Sequence, residues 1–344
     1  MIWYNNIITF KQNTGGLGMN QRIFGKTNRP ITEIGLGTWQ LGTVWGDPFN
    51  EAEAMKILES AYDCGITMID TADIYNDGNS ELAIGKFIKK YPGHFYIVTK
   101  CGRALDPHVA EGYNAENIRK FVDGSLQRMG LERLDMVLLH CPPTSVYKND
   151  EVFAVLDRIK RSGKIADYGV SIEKVSEGIA AMDYDISAIE VIFNMFRLKP
   201  TEELFPKAKE NNVGIIARVP LASGLLTGRY TKDTTFGAGD HRTYNRNGES
   251  FDKGETFSGV DFDLGLQAVQ ELKVLFGTED LIPYALRWIL MHDAVSVVIP
   301  GASKVAQVAS NVRAAELPPL TEAQMDGVKD IYDRLIKPSV HENW

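Results

Sequence analysis

Cysteine is scarce: Cys64, Cys101 and Cys141 are the only three in 344 residues, and no two show C-x-x-C spacing. That excludes a disulfide framework and points to a reducing compartment, with the cytoplasm as the expected location. Long apolar runs are missing as well; none approaches the roughly 18–20 residues needed to span a bilayer. The opening MIWYNNIITFKQNTGGLG has neither a basic start nor a long apolar centre, so no secretory signal is expected. The six histidines show no H-x-x-x-H or similar spacing, so no metal site is expected. No G-x-G-x-x-G follows a strand-like run, which removes the Rossmann fingerprint. Positive charge is in deficit. With 37 Lys and Arg against 45 Asp and Glu, the formal charge of -8 argues against nucleic acid or an anionic membrane as the main partner.

What is present is alternation. Short apolar runs rich in Ile and Val fall at 33–36, 67–69, 95–99, 136–139, 168–170, 188–193, 214–217 and 296–299. They are apolar on both faces, as buried parallel strands are. Amphipathic helical patterns separate them, at 51–64, 80–90, 114–129, 150–161, 175–182, 202–211, 262–276, 281–291 and 305–313. Asn50, Glu53 and Gly65 supply a full start and stop for the first helix. Pro206 implies a kink or a late start in the sixth. Eight strands alternating with helices predict a single-domain (β/α)8 TIM barrel over residues 19–344 rather than a doubly wound sheet. Residues 1–18 read as an appendage ahead of a natural start at Met19, from an upstream start or added in cloning. A terminal helix is expected at 322–336. The stretch 231–261, rich in Gly, Asp, Thr and Asn, reads as a lid-like insertion.

A barrel carries its active site at the carboxyl ends of its strands. The first strand run exits into Gly37-Thr38-Trp39, and the next three end in Asp70, Lys100 and His140, with Tyr75 just past the first of these. This set suits proton donation to a carbonyl. Tyrosine, with a pKa near 10, needs an adjacent ammonium to lower it, and a carboxylate can hold that ammonium in place. A histidine can polarise the carbonyl or share the proton. Singly, each residue has a plainer reading as a turn or solvated strand-end residue; in this order together they form a general acid. Cys101 and Cys141 follow Lys100 and His140 directly, and by strand alternation both are expected to pack outward against helices.

The segments GLGTW at 35–39, IDTADIY at 69–75, Thr99-Lys100, LLHCPP at 138–143 and IPGASK at 299–304 together resemble the aldo-keto reductase family, from about residue 21 to the terminal helix. The resemblance implies NADP(H)-dependent reduction of an aldehyde or ketone, reversibly. Asp70, Tyr75, Lys100 and His140 would be the catalytic tetrad, with Tyr75 the acid. By the same resemblance the cofactor would contact Gly37, Thr38, Trp39, Asp70 and Ser171. Arg218, Pro220, Leu221, Ser223, Gly224 and Leu226 would pass under its pyrophosphate. Gly301, Ser303, Lys304, Gln307 and Asn311 would meet its adenosine end, and a helix amino terminus with a hydroxyl and an ammonium is a sound anion site favouring NADPH. Three positions depart from the family pattern. Ile172 stands for a usual Asn, Ser310 for an acid, and Glu190 for a Gln that shares the nicotinamide contact; Glu190 can accept from an amide but cannot donate to one.

Two other roles compete. One is a cofactor-sensing regulatory or binding subunit, because some proteins resembling this family, such as potassium-channel β-subunits, couple cofactor state to a partner with little turnover. Alternatively, Lys100 could form a Schiff base in an aldolase or isomerase. The substrate is expected to be a small-molecule carbonyl, with Trp45 and Phe49 in the first loop forming an apolar rim.

Overall fold

The computed structural model of the protein describes residues 19–43 and 47–344. The appendage at 1–18 and Trp45 lie outside the described residues. Each of the eight expected strand runs forms a strand: β3 (Leu36–Gly37), β4 (Met68–Asp70), β5 (Tyr96–Cys101), β6 (Leu134–His140), β7 (Ile165–Ile172), β8 (Ala188–Ile192), β9 (Gly214–Arg218) and β10 (Val295–Val298). They are parallel and hydrogen-bonded in sequence order. Residues just beside β3 join the first strand to the last. Gly35 N donates to Val298 O at 2.9 Å, Val298 N to Glu33 O at 3.0 Å, and Gly37 N to Pro300 O at 3.1 Å. The sheet therefore curls round to meet itself, as a (β/α)8 barrel does.

A strand pair that the apolar pattern does not announce precedes the barrel. β1 (Gln21–Phe24) and β2 (Arg29–Thr32) form an antiparallel hairpin. Phe24 and Ile31, both 0% exposed, plug the base of the barrel. Arg22 fastens the hairpin by donating to the carbonyls of Leu290 and Val295. With only four residues per strand and a single inward residue of each in the core, its alternation is too short to stand out.

The α-helices among the described residues are α1 (Glu51–Asp63), α2 (Asn79–Ile88), α3 (Ala115–Met129), α4 (Asp150–Arg161), α5 (Val175–Ala181), α6 (Leu204–Glu210), α7 (His241–Tyr244), α8 (Phe262–Phe276), α9 (Ile282–Leu290), α10 (Val305–Val312), α11 (Glu322–Ile331) and α12 (Lys337–Val340). Asn50 caps α1 by accepting from Glu53 N. Pro206 falls in the first turn of α6, a late start rather than a kink, where its missing N–H has no intrahelical partner to lose. The expected terminal helix runs as α11 to Ile331 and continues as one π-helical turn, Tyr332–Ile336. No helix among the described residues is long and apolar enough to cross a membrane.

Two apolar clusters fill the structure. The large one lies between strands and helices. The small one fills the barrel interior with Met68, Tyr96, Val98, Met136, Leu138, Ala188 and Ile216 among others. Because successive strand residues point to opposite faces, the next inward position on each of these strands is Asp70, Lys100, His140, Glu190 and Arg218. Polar chemistry is the top layer of the barrel core.

Candidate active site

Asp70 and Lys100 stand on adjacent strands, β4 and β5, and His140 on the third, β6. Lys100 is 0% exposed. Its Nζ donates to Asp70 Oδ1 at 2.6 Å and Oδ2 at 2.7 Å, to Thr71 O at 3.0 Å, and to Tyr75 Oη at 3.3 Å. His140 meets Tyr75 edge to face, with ring centres 5.9 Å apart. Tyr75 is held by a tight turn: Asn76 and Asp77 take φ of 50° and 54°, and Gly78 follows at 83°. Asn and Asp tolerate this left-handed backbone best after glycine. A Cβ on Gly78 would lie 2.9 Å from Arg128 Cδ of α3, so the Arg128 side chain would have to shift, and the left-handed backbone is what favours glycine there.

The electrostatics follow from burial. Burial works against the Lys100 charge, but Asp70 and Glu190 outweigh it and hold the ammonium above the usual lysine range. Burial and Glu190 push Asp70 above the usual carboxylate range despite Lys100. Tyr75 departs from expectation. Burial raises its hydroxyl pKa, and the opposing pull of Lys100 is too weak to reverse this with Asp70 and Glu190 nearby. The phenol is therefore held protonated rather than acidified. Burial and the cations Arg103, Lys100 and Arg218 keep His140 well below its ordinary value, so its ring is neutral. Its buried Nδ1 has no hydrogen-bond partner.

These groups face a cavity of about 550 Å³. Asp70, Tyr75, His140 and Glu190 line one end; Gly37, Thr38, Trp39, Arg218, Pro220, Leu221, Ser223, Gly224, Gly301 and Gln307 complete the expected residues on its wall. Others lie off the wall. Lys100 sits behind Tyr75. Ser171 is 0% exposed and accepts from Cys141 Sγ at 3.4 Å. Leu226 is in the apolar core. Asn311 donates to Gly301 O at 3.3 Å. Gln307 Oε1 accepts from Ser303 N at 2.7 Å and Lys304 N at 3.0 Å, while Lys304 itself is exposed. Ser223 (φ 54°) and Gly224 (φ 98°) form a left-handed pair, and a Cβ on Gly224 would lie 2.2 Å from Tyr230 Oη.

The insertion supplies the opposite wall. Trp39 packs against His241 and Phe251, with ring centres 5.2 Å and 6.2 Å away. Glu255 enters a buried ion network that sequence reasoning missed. Its Oε1 lies 3.0 Å from Arg103 and 3.3 Å from Arg218. Arg218 also donates to Glu173 Oε1 at 2.9 Å and lies 3.8 Å from Glu190. The two arginines outweigh burial and draw Glu255 down to about 2, whereas burial pushes Glu173 up to about 7. Nothing local in the sequence marks Glu255, one acid in a polar stretch 152 residues from Arg103.

The two cysteines part company. Cys101 packs outward in the barrel–helix core as alternation requires. Cys141 does not: β6 ends at His140, Cys141 takes φ 46°, and its sulfur lies 3.5 Å from Arg218 NH2. Cys141, Glu173 and Glu255 bring donor atoms within 4.8 Å of one another, but the Arg218 guanidinium already occupies the space between them.

The cavity of about 550 Å³ is larger than a small carbonyl compound needs, and its lining takes in Tyr75 and His140 together with Gly301 and Gln307, so it has room for a cofactor as well as a substrate. Comparisons agree with this geometry. The chain matches the profile of the Aldo/keto reductase family over residues 33–333. It is 31% identical over 292 residues to the aldo-keto reductase YhdN of Bacillus subtilis, covering 82% of this chain and 84% of that one. It is 29% identical to the NADH-specific methylglyoxal reductase of Escherichia coli, covering 85% and 92% of the two chains. Among solved structures, the glycerol dehydrogenase AKR11B4 of Gluconobacter oxydans superposes with a TM-score of 0.73 at 29% identity, covering 92% of this chain and 95% of that one. An Asp–Lys–Tyr–His layer at the top of a parallel barrel and a family match across nearly the whole chain lead to one conclusion: this protein belongs to the aldo/keto reductase family of oxidoreductases.

Proposed function

We propose that the protein reduces a small aldehyde or ketone with NADPH, reversibly, in the cytoplasm. The observation that carries this reading is the Asp70–Lys100–Tyr75 chain of short contacts, with a neutral His140 against the same phenol and all of it at one cavity end. A reduced nicotinamide held in the cavity beside Tyr75 and His140 would supply the hydride. Tyr75 supplies the proton to the carbonyl oxygen. Its raised pKa keeps that proton in place through neutral pH, so Lys100 acts by stabilising the phenolate as the proton leaves. His140 offers a neutral ring edge to orient the carbonyl. The firmly protonated Lys100 is a poor amine nucleophile, which disfavours Schiff-base chemistry. Exposed Lys304 beside Ser303 at the start of α10 supports NADPH over NADH, although the relative from Escherichia coli is named as NADH-specific. The names of the relatives support a small, oxygen-rich carbonyl compound or its alcohol as substrate.

Tyr75→Phe should lower carbonyl reduction by roughly 10²–10⁴-fold while NADPH binding stays nearly intact. Undiminished turnover in a carbonyl-panel assay would sink the assignment. Tight cofactor binding by the unmodified protein with negligible turnover on every carbonyl would favour the channel-subunit role instead. The ratio of kcat/KM with NADPH and NADH tests the cofactor choice.

A further inference from the structure

Glu190 takes no part in the proton-transfer chain. Its strand explains why it is there: Ala188 of β8 fills the barrel interior, Ile189 faces the helices, and Glu190 points inward again. The residue is 1% exposed and lies on the wall of the cavity that holds Tyr75 and His140. Oε2 is 3.3 Å from Lys100 Nζ and Oε1 is 3.8 Å from Arg218 Nε. Oε2 nevertheless accepts no hydrogen bond.

The reason is the saturation of its neighbours. An ammonium has three donors. Lys100 directs them at Asp70, at Thr71 O and toward Tyr75. Arg218 is shared with Glu173 and Glu255 at 2.9 Å and 3.3 Å. Neither cation neutralises Glu190 alone. A buried carboxylate in this state is costly, and an uncharged glutamine of nearly the same shape would fill the same space. A carboxylate whose two cations are each shared with other acceptors, at the wall of a cavity, suits a ligand that becomes positive in use.

We infer that Glu190 sets the redox-state preference of the bound nicotinamide, stabilising its oxidised form over its reduced form. This rests on the reading that the cavity takes a nicotinamide cofactor. In the reaction proposed above, the C–H bond at C4 of the neutral dihydronicotinamide breaks and its electron pair goes with hydrogen to the carbonyl carbon. The Tyr75 hydroxyl protonates the resulting alkoxide, and the ring is left with one positive charge. A fixed carboxylate at the cavity wall attracts that charge and has no comparable attraction for the neutral ring. Carbonyl reduction on the enzyme is thereby favoured, and the oxidised cofactor is held more tightly than the reduced one.

Cofactor binding without substrate provides the test. NADP+ and NADPH, with NAD+ and NADH in parallel, are titrated by calorimetry into the unmodified protein, Glu190→Gln and Glu190→Asp. The unmodified protein should bind the oxidised form of its preferred cofactor more tightly than the reduced form. Glu190→Gln should weaken binding of the oxidised form by about tenfold and leave the reduced form nearly unchanged, a size expected for one charge a few ångströms away at protein-like dielectric. Glu190→Asp, which keeps the charge, should retain most of the preference. Equal weakening of both forms by Glu190→Gln would overturn the inference while leaving the proposed function intact. So would tighter binding of the reduced form by the unmodified protein, a result that needs no variant to fold. Failure of the unmodified protein to bind any of the four would overturn the nicotinamide reading itself.

Discussion

The two walls of the cavity are built by different means. The barrel end carries Asp70, His140 and Glu190 on the wall and Lys100 just behind it, all at inward strand positions, so backbone ladders set their spacing before any side chain chooses a partner. The insertion wall places Glu255 against Arg103 and Arg218 through side-chain ion pairs between segments distant in sequence. One wall inherits its geometry from sheet register; the other depends on buried charges finding each other. The strand side therefore takes its positions from sheet register, whereas the insertion reaches the same groups through Arg103 and Arg218.

Removing charge from the two sides has different consequences. The largest effect is expected at the strand wall. Lys100→Met should lower kcat by roughly 10²–10⁴-fold, because the departing Tyr75 proton leaves an uncompensated phenolate beside Asp70 and Glu190. Steady-state kinetics would show it, and a variant that lost only substrate affinity would break the comparison. Glu255→Gln should act on the other wall. It leaves Arg103 and Arg218 short of one carboxylate, yet Arg218 keeps Glu173 at 2.9 Å. The expected loss is about 2 kcal/mol of stability, below the 3–5 kcal/mol of a fully orphaned buried pair, with KM raised more than kcat is lowered. A denaturant titration and a kcat-against-KM comparison would read both effects.

A third effect, on stability alone, sharpens the comparison from behind the Tyr75 turn. Asp73, 9% exposed, lies behind the Tyr75 turn near Glu81 and Arg128. Burial and then Glu81 push it up to about 7 although Arg128 opposes them. Its folded pKa thus exceeds the unfolded value of about 3.9, so the folded state holds the proton more tightly. Stability should fall as pH rises from about 4 to about 7 and stay lower above that. Asp73→Asn should remove this dependence and raise the thermal midpoint by a few degrees at pH 8 relative to pH 5. Parallel melting curves for the two proteins across that range would count against the buried-acid reading.

The strands, most helices and the order Asp–Tyr–Lys–His were legible because their signals are local. A buried parallel strand must be apolar on both faces, and a strand must end where polar residues begin. The resemblance to a family added the outline of a cofactor path, and most of those residues line the cavity while Ser171, Leu226, Ser303, Lys304 and Asn311 do not. The plugging hairpin was too short to carry a period. The sequence by itself thus determined the alternation, the inward layer of polar and charged residues and their kinds. Only the tertiary structure decided their charge states and companions. Burial overrides Lys100 at Tyr75, a left-handed backbone turns Cys141 away from the helices, and Glu255 meets its arginines across the barrel mouth. Desolvation and ion pairing depend on what surrounds a group in space, and no local pattern along a chain encodes that.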